Sequence, residues 1–378
     1  MTLQNERVLI IMDGLYIGGT ETHVLAIAKE MIKQGVHVVI VGKTGPLHRS
    51  FLSLGCPIYP IECKVEGSVS SDIWEETKNI LREIMKWEKI TVVHGHQTTS
   101  ARFAFPVARE LGIPFVFTVH GTYESLENLP DIAENGGTII SVSQPIQHWL
   151  MQQNISSTLI PNGINLKQYR PLQKTNLLKK MRIPLHAPVV LYAARLSWEK
   201  AKICKQVIQA CCYLRKRYFP SLHLIIAGKG FHDGEIKKMI EKVQGKSKYK
   251  FIHFLGEYTM MSSLYSISNC VVGTGRVALE AMACSRLVVS AGRHGFFGTL
   301  YPNNLQQAWY YYFGDHNSIQ PCTSSLLAKN IKTVLSTSKR QRLIWGRQNR
   351  LFIKENFGIE QVTKTLLNTY ASLIPPSP

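Results

Sequence analysis

Residues 189–200 read VVLYAARLSWEK, and this stretch indicates how the chain folds. Its first five residues are apolar and predict a strand buried on both faces, while helical periodicity begins after the turn that contains Arg195. Strands buried on both faces belong to parallel sheets, in which helices connect one strand to the next. The stretch therefore predicts one βαβ unit, and the same alternation recurs in both halves of the chain.

The recurring apolar runs predict an α/β fold in two sets of strands. The predicted strands span residues 8–12, 36–41, 58–61, 91–93, 115–118, 139–142 and 158–160 in the first set, and 189–193, 223–227, 250–254, 269–272 and 287–290 in the second. The turn Pro161-Asn162-Gly163 and a basic segment at 169–186 separate the sets. Since 378 residues suffice for two domains, we expect Rossmann-like domains at 1–165 and 166–357, with a C-terminal helix at 358–374 joining the first.

The composition is that of a globular protein, with 45% hydrophobic and 18% charged residues. No apolar run approaches the roughly 20 residues of a membrane-spanning helix. The polar residues 1–7 precede an apolar run that is too short for a signal-peptide core. We therefore expect a cytoplasmic protein whose eight cysteines, which form no CxxC pair, are buried free thiols.

The charge balance favours anionic partners. The chain has 44 Lys and Arg against 25 Asp and Glu, a formal net charge of +19. Phosphates, nucleic acid and acidic lipid surfaces all fit such an excess. Because the basic residues are dispersed and accompany no recognised nucleic-acid motif, nucleic acid is the least favoured of the three.

A glycine-containing segment follows the first predicted strand. Gly18, Gly19, Thr20 and Glu21 open a helix there, where backbone N–H groups approach a phosphate or a sugar. The same residues fit a tight turn in which Thr20 caps the helix, and both interpretations stay open.

Three histidines lie where predicted strands end. His94 and His96 end one strand and His120 ends another, so all three belong to the carboxyl edge, where open α/β sheets bind ligands. No third residue with metal-ligand spacing accompanies His94 and His96, and we expect no metal site. His120, next to a glycine, is the best of the three for contact with a substrate, with a loop histidine bonded to backbone as the alternative.

Two segments of the second half combine charged residues with helix starts. Arg195 and Lys200 flank a helix N-terminus, which suits a diphosphate leaving group, although such residues are also common as solvated surface charges. The Gly-rich turn at 273–276 opens another helix, with Glu280 on its second turn. A carboxylate there accepts hydrogen bonds from two vicinal hydroxyls, such as those of a ribose, or is an ordinary surface glutamate.

The order and spacing of these segments resemble glycosyltransferase family 4, the retaining enzymes with the GT-B fold, over nearly the whole chain. The motifs that carry the resemblance are Gly18-Gly19-Thr20-Glu21, His94-Gly95-His96, Thr118-Val119-His120-Gly121, Ile160-Pro161-Asn162-Gly163-Ile164, Arg195-Leu196 with Lys200, Ala227-Gly228-Lys229-Gly230 and Leu279-Glu280-Ala281-Met282-Ala283. The resemblance implies two Rossmann-like domains that face each other across a cleft, with C-terminal helices packing back toward the first.

The resemblance also implies roles for individual residues. Arg195 and Lys200 are expected to bind the donor diphosphate, Glu280 the nucleotide ribose, and His120 the transferred sugar; the catalytic set is His120, Arg195 and Lys200. The other residues expected on the donor are Gly18, Gly19, Gly228, Gly273, Thr274, Gly275 and Arg276. The residues expected on the acceptor side are His94, His96, Thr20 and Glu21.

One position departs from the family pattern. The family usually has two glutamates separated by seven residues, and the first, which helps to hold hydroxyls of the donor sugar, is replaced here by Val272. The identity of the sugar therefore does not carry over, and Thr274 or Arg276 is a candidate for the missing contacts. No Asp-x-Asp motif occurs in the 378 residues, so we expect transfer without metal or cofactor, with protein cations and helix N-termini absorbing the leaving-group charge.

The sequence thus predicts a metal-independent, retaining transferase that moves a hexose-type sugar from a nucleotide diphosphate sugar to a glycan or lipid-linked acceptor, in cell-envelope polysaccharide or glycoconjugate synthesis. A nucleotide-sugar epimerase or hydrolase on the same scaffold and a non-catalytic sugar-binding protein are the alternatives. Residues 339–354 mix basic residues with Trp345, Leu351 and Phe352. This helix either packs onto its own domain, which we favour, or makes peripheral contact with an acidic membrane surface.

Overall fold

The computed structural model describes residues 6–63, 70–124, 128–173, 176–245 and 250–374. The chain divides into two compact units. The N-terminal unit comprises Met1–Gly163 together with Ile359–Pro378, and the C-terminal unit comprises Ile164–Gly358.

The N-terminal unit is built on a parallel sheet of seven strands, in the order β3-β2-β1-β4-β5-β6-β7. Its strands are β1 (Arg7–Gly14), β2 (His37–Lys43), β3 (Ile58–Tyr59), β4 (Val92–Gly95), β5 (Phe115–Val119), β6 (Thr138–Ser141) and β7 (Thr158–Leu159). The helices that connect them are α1 (Gly19–Lys33), α2 (His48–Leu52), α3 (Ser71–Trp87), α4 (Thr98–Glu110), α5 (Leu129–Glu134) and α6 (Gln144–Gln152).

Both faces of this sheet are covered by apolar side chains. Successive residues of β1 alternate between two core clusters, with Leu9 and Ile11 in one and Val8, Ile10 and Met12 in the other. All five residues are fully buried, as expected of a central parallel strand. The last helix of the chain, Ile359–Leu373, packs against α1 and contributes its apolar face to the second cluster.

The C-terminal unit contains a sheet of six strands, in the order β10-β9-β8-β11-β12-β13. Its strands are β8 (Val189–Ala193), β9 (His223–Ala227), β10 (Ile252–Gly256), β11 (Cys270–Val272), β12 (Val288–Gly292) and β13 (Gly295–Leu300). Its helices are α7 (Leu177–Lys180), α8 (Trp198–Arg217), α9 (Asp233–Gln244), α10 (Met261–Ile267), α11 (Gly275–Ala283), α12 (Leu305–Tyr310), α13 (Ser324–Ser336) and α14 (Lys339–Phe357); Ile359–Leu373 is α15.

The two parallel α/β sheets confirm the predicted fold class. Strand β13 is an addition, because the sequence predicts no strand after residue 290. It pairs antiparallel with β12 across a turn at Arg293 and His294, and all six of its residues are buried. The apolar run at its centre is only Phe296-Phe297 between glycines, which is too short to signal a strand.

The last three helices divide between the units. Helix α13 packs against α8 and α14 packs against α11, so both remain in the C-terminal unit, whereas α15 belongs to the N-terminal unit. Helix α14 buries Ile353 and Phe357 in the C-terminal core, in agreement with the favoured packing of residues 339–354. Among the helices of the described residues, none combines the length and the apolar character needed to cross a membrane.

Candidate functional site

The carboxyl edge of the C-terminal sheet brings Lys200 and the turn at 273–275 to one acidic residue, Asp315. The Lys200 Nζ lies 3.2 Å from Asp315 Oδ1, and the Thr274 hydroxyl donates to the same oxygen at 2.8 Å. A Cβ added at Gly275 would lie 2.6 Å from Asp315 Oδ2, so the carboxylate rests on the glycine backbone. Lys200, Thr274 and Gly275 were predicted here; Asp315 was not.

Asp315 is an ionised carboxylate. Burial alone would raise its pKa, but the Lys200 charge, the nearby His316 and hydrogen bonds from Thr274 and Lys200 outweigh it and lower the pKa to about 2. Burial lowers the pKa of His316 to about 4 in spite of the adjacent Asp315. At neutral pH the site therefore holds a lysine, a carboxylate and a neutral imidazole.

A strained turn presents Asp315. Tyr312, Phe313 and Gly314 have φ angles of 48°, 52° and 77°, a left-handed run that only glycine adopts without cost. Both aromatic side chains are buried, and the Ser290 hydroxyl donates to the Phe313 carbonyl at 2.7 Å. Strain of this kind persists only where packing fixes it, and it is frequent at functional sites.

Arg195 stands on the loop that joins β8 to α8, and its side chain is exposed. This loop contacts the one that follows β9, since Leu196 N–H donates to the Lys229 carbonyl at 3.1 Å. Gly228 permits the approach, because a Cβ there would lie 1.8 Å from the Ala194 carbonyl oxygen. The predicted residues Arg195 and Gly228 therefore belong to one pair of loops at this edge.

Glu280 is buried with Arg276 inside the unit. The Arg276 Nε donates to Glu280 Oε1 at 2.8 Å, and the Tyr265 hydroxyl donates to Oε2 at 2.9 Å. The two charged side chains are 19% and 8% exposed. This corrects the prediction for Arg276, whose guanidinium neutralises a buried carboxylate, as a buried charge requires. The turn before it is tight, because a Cβ at Gly273 would lie 2.5 Å from Val277 Cγ1.

In the N-terminal unit, His94 and His96 lie side by side with ring centroids 4.1 Å apart. His94 is fully buried, and its two nitrogens bond to the Tyr370 hydroxyl at 2.5 Å and to Thr118 Oγ1 at 2.8 Å. Burial, followed by the effect of His120, lowers its pKa to about 3. Both nitrogens are committed inside the protein, which corrects the expectation that His94 faces an acceptor.

His96 contacts His120 rather than a distant element. Its Nδ1 lies 3.0 Å from His120 Nε2, while its own Nε2 is buried without a hydrogen-bond partner among the described residues. Burial holds the pKa of His96 well below its usual value. A neutral His96 that donates from Nδ1 leaves only an acceptor unsatisfied, so His120 accepts at Nε2 and carries its proton on Nδ1.

Two further residues at this edge were not predicted. The His23 ring from α1 lies 5.7 Å from that of His120, centroid to centroid. Glu124 Oε2 accepts from the Thr98 N–H at 3.0 Å, and burial raises the Glu124 pKa to about 7. The helical position of His23 at 3.6-residue spacing resembles an ordinary core position, and Glu124 lies in a loop without a motif, so neither gave a sequence signal.

The glycine segment before α1 differs from the predicted cap. Gly18, not Thr20, is the N-cap residue, and the Thr22 hydroxyl donates to the Gly18 carbonyl at 2.7 Å. Thr20 and Glu21 are buried, and Glu21 accepts from Gln97 at 3.2 Å. Gly19 is exposed with open space where a Cβ would stand. Nowhere in the described ranges do three His, Cys, Asp or Glu side chains converge as metal ligands.

Comparison with known proteins places this geometry in a family. The model described as Glycosyltransferase Family 4 matches residues 17–168, and the model described as Glycosyl transferases group 1 matches residues 173–350. One relative is the subunit of the phosphatidylinositol N-acetylglucosaminyltransferase of Arabidopsis thaliana that is 24% identical over 312 residues, which are 75% of this chain and 67% of that protein.

Solved structures share the fold. A glycosyltransferase from Rickettsia africae superposes with a TM-score of 0.79 at 18% identity, covering 99% of this chain and 100% of its own. Anabaena HepE, solved in complex with UDP and glucose, superposes with a TM-score of 0.74 at 17% identity, covering 97% of this chain and 100% of its own.

Proposed function

The chain is a family 4 glycosyltransferase with the GT-B fold, and on that premise we propose that it moves a hexose-type sugar from a nucleotide diphosphate sugar to a hydroxyl acceptor. The observation that carries this proposal is the position of Lys200. Its ammonium lies at the carboxyl edge of the sheet, beside the N-terminus of α11 and against an ionised carboxylate, which makes it an anion-binding position.

The donor diphosphate would bind to Lys200 and Arg195. Arg195 is exposed at the end of β8 and contributes a second cation from the same loop, while the N-terminus of α11 adds backbone N–H groups. The UDP complexes of Anabaena HepE give this ligand class a precedent on the same fold. The +19 net charge of the chain favours capture of such anions.

The nucleotide ribose would be held by Glu280. A carboxylate accepts about four hydrogen bonds, and Arg276 and Tyr265 occupy one on each oxygen. The remaining lone pairs are the ones we assign to the ribose hydroxyls. Arg276 then keeps Glu280 ionised in its buried position.

Transfer would break the bond between the anomeric carbon and the diphosphate oxygen, and the bonding electrons would leave with the diphosphate. Arg195, Lys200 and the α11 N-terminus would stabilise that negative charge. The acceptor oxygen would attack from the same face, so that configuration is retained, and its proton would pass to a phosphate oxygen of the leaving group. We propose that this step needs no metal and that His120, held by His96, contacts the transferred sugar.

We place the enzyme in the synthesis of a glycan or glycoconjugate, with a glycan or lipid-linked acceptor. Helix α14 would support peripheral contact with acidic lipid, because its outer face combines exposed apolar and basic residues. Leu343, Ile344 and Leu351 are 46%, 40% and 52% exposed, and Arg340 and Arg347 are exposed beside them. The Arabidopsis relative, whose name contains a phospholipid, is consistent with such an acceptor.

The experiment is a thermal-shift panel of UDP, GDP, ADP and dTDP sugars, followed by kinetics of R195A, K200A and the control K242A. Lys242 is exposed on α9 and lies away from the sheet edge. We expect each site variant to lose at least about tenfold in kcat/KM, near 1.4 kcal/mol, and K242A to match the wild type. Absence of stabilisation by any nucleotide sugar, or smaller losses in both variants, contradicts the proposal.

A donor-only incubation separates the alternative activity. Release of free nucleotide at the full catalytic rate without acceptor, or an epimerised sugar, assigns the same site to a hydrolase or epimerase.

A further inference from the structure

Asp315 has one oxygen in use and one available. Lys200 and Thr274 both donate to Oδ1, whereas Oδ2 has no hydrogen-bond partner among the described residues. The side chain is 25% exposed, so the available oxygen is open to a small ligand. Oδ2 lies against Gly275, at the start of α11.

From this geometry we infer that Asp315 binds hydroxyl groups of the transferred sugar and so helps to select the donor. The inference rests on the proposed function, because it assigns the sugar-reading part of the same donor site. An ionised carboxylate only accepts hydrogen bonds, and sugar hydroxyls are the neutral donors that a nucleotide sugar brings. A phosphate brings no such donor and would be repelled by the carboxylate.

Lys200 explains how the two halves of a donor fit side by side. Its ammonium touches Asp315 on one side and is the proposed diphosphate ligand. The bond that breaks in transfer joins the diphosphate to the sugar, so a carboxylate bound to the diphosphate ligand lies within reach of the sugar ring. The low pKa of Asp315, about 2, keeps the acceptor ionised throughout the neutral range.

The neighbouring strand offers no substitute. Val272 ends β11 with its side chain fully buried in the core, so the position at which the sequence lacks an acid gives no polar group to the site. Asp315 reaches the turn that follows β11 from a distant part of the chain, on the left-handed run Tyr312–Gly314. A strained turn that delivers one carboxylate to this point is accounted for if the carboxylate has a ligand.

The test compares hydroxyl recognition in the wild type and in D315N. The donor is the nucleotide hexose that stabilises the wild type most in the thermal-shift panel, used together with its monodeoxy analogues and the free nucleoside diphosphate. Affinities are measured by calorimetry on the full chain. D315E is the conservative rescue, and E241Q, which changes an exposed acid on α9, is the matched control.

We expect at least one deoxy analogue to bind the wild type and E241Q about tenfold or more weakly than the parent sugar, as loss of a hydrogen bond to a charged group implies. In D315N that penalty falls below about threefold, while affinity for the free nucleoside diphosphate changes less than about threefold; D315E restores part of the penalty.

Three results overturn the inference. The first is a deoxy penalty in D315N equal to that of the wild type. The second is a wild type that binds every deoxy analogue as well as the parent, which needs no variant and holds even where D315N fails to fold. The third is D315N binding the nucleoside diphosphate more than about tenfold tighter with unchanged sugar discrimination, which makes Asp315 an internal competitor for the phosphate site. Failure of all nucleotides to bind contradicts the proposed function instead.

Discussion

Replacing Gly314 with alanine tests whether packing holds the strained turn before Asp315. Gly314 has φ +77°, and a Cβ there would lie 2.3 Å from Ser290 Oγ, too close for any rotamer of alanine. Ser290 is buried and must move, which breaks its hydrogen bond to the Phe313 carbonyl. The substitution therefore combines a backbone cost with the loss of a buried contact.

Each part of the cost has a magnitude. A left-handed alanine costs roughly 1–2 kcal/mol, and the lost hydrogen bond to a buried carbonyl adds about 1 kcal/mol or more. The chain contains a matched control in Gly55, which also has φ +77° but meets nothing within 4 Å of an added Cβ. G55A should therefore show the backbone cost alone, and G314A should exceed it by at least about 1 kcal/mol.

Hydrogen exchange in increasing urea measures the two variants. Peptides from β12 report the free energy of unfolding around Gly314 and peptides from β3 report it around Gly55, so the two units need not unfold together. In an S290A background the Oγ is gone, and G314A should cost no more than G55A. Equal costs in the wild-type background, or an excess that S290A does not remove, would refute the account of the turn.

Two other predictions concern the remaining parts of the chain. The pKa of His94 is about 3 in the folded protein, below its ordinary value of 6.5, so neutral His94 contributes stability that is present above about pH 6.5 and is lost as the pH falls toward 3; urea unfolding of the N-terminal unit should show this slope, and H94Q should flatten it, whereas equal slopes would contradict the buried-histidine account. Reversing Arg340 and Arg347 to glutamate on α14 should abolish co-sedimentation with vesicles containing phosphatidylserine and leave nucleotide affinity unchanged; equal, negligible binding of the wild type to anionic and neutral vesicles ends the membrane proposal.

The fold was predictable from the sequence because parallel strands announce themselves as continuous apolar runs. Residues 189–193 and 223–227 are strands at the bounds predicted for them. The hairpin strand β13 escaped prediction because antiparallel pairing across a two-residue turn needs no long apolar run. Local pattern therefore suffices for elements whose burial is complete and fails where pairing supplies the stability.

The candidate site was predictable only where its residues follow strands. Lys200 and Thr274 stand just after β8 and β11, so the rule that ligands bind at carboxyl edges found both. Asp315 contacts Lys200 across 115 positions of sequence, and nothing near it resembles a motif. The run of aromatic residues at 309–313 was the available signal, since it packs the turn that presents the acid, but aromatic residues indicate a core rather than a site.

The return of α15 to the N-terminal unit has a consequence for synthesis. The C-terminal unit is complete when residue 358 has been made, but the N-terminal unit still lacks the helix that supplies the Tyr370 hydroxyl to His94. Until that helix arrives, the apolar surface that it covers next to α1 is open to water and to other chains. During translation the unit encoded second is therefore the first able to reach its final state, and the unit encoded first is the one more exposed to aggregation and to chaperones.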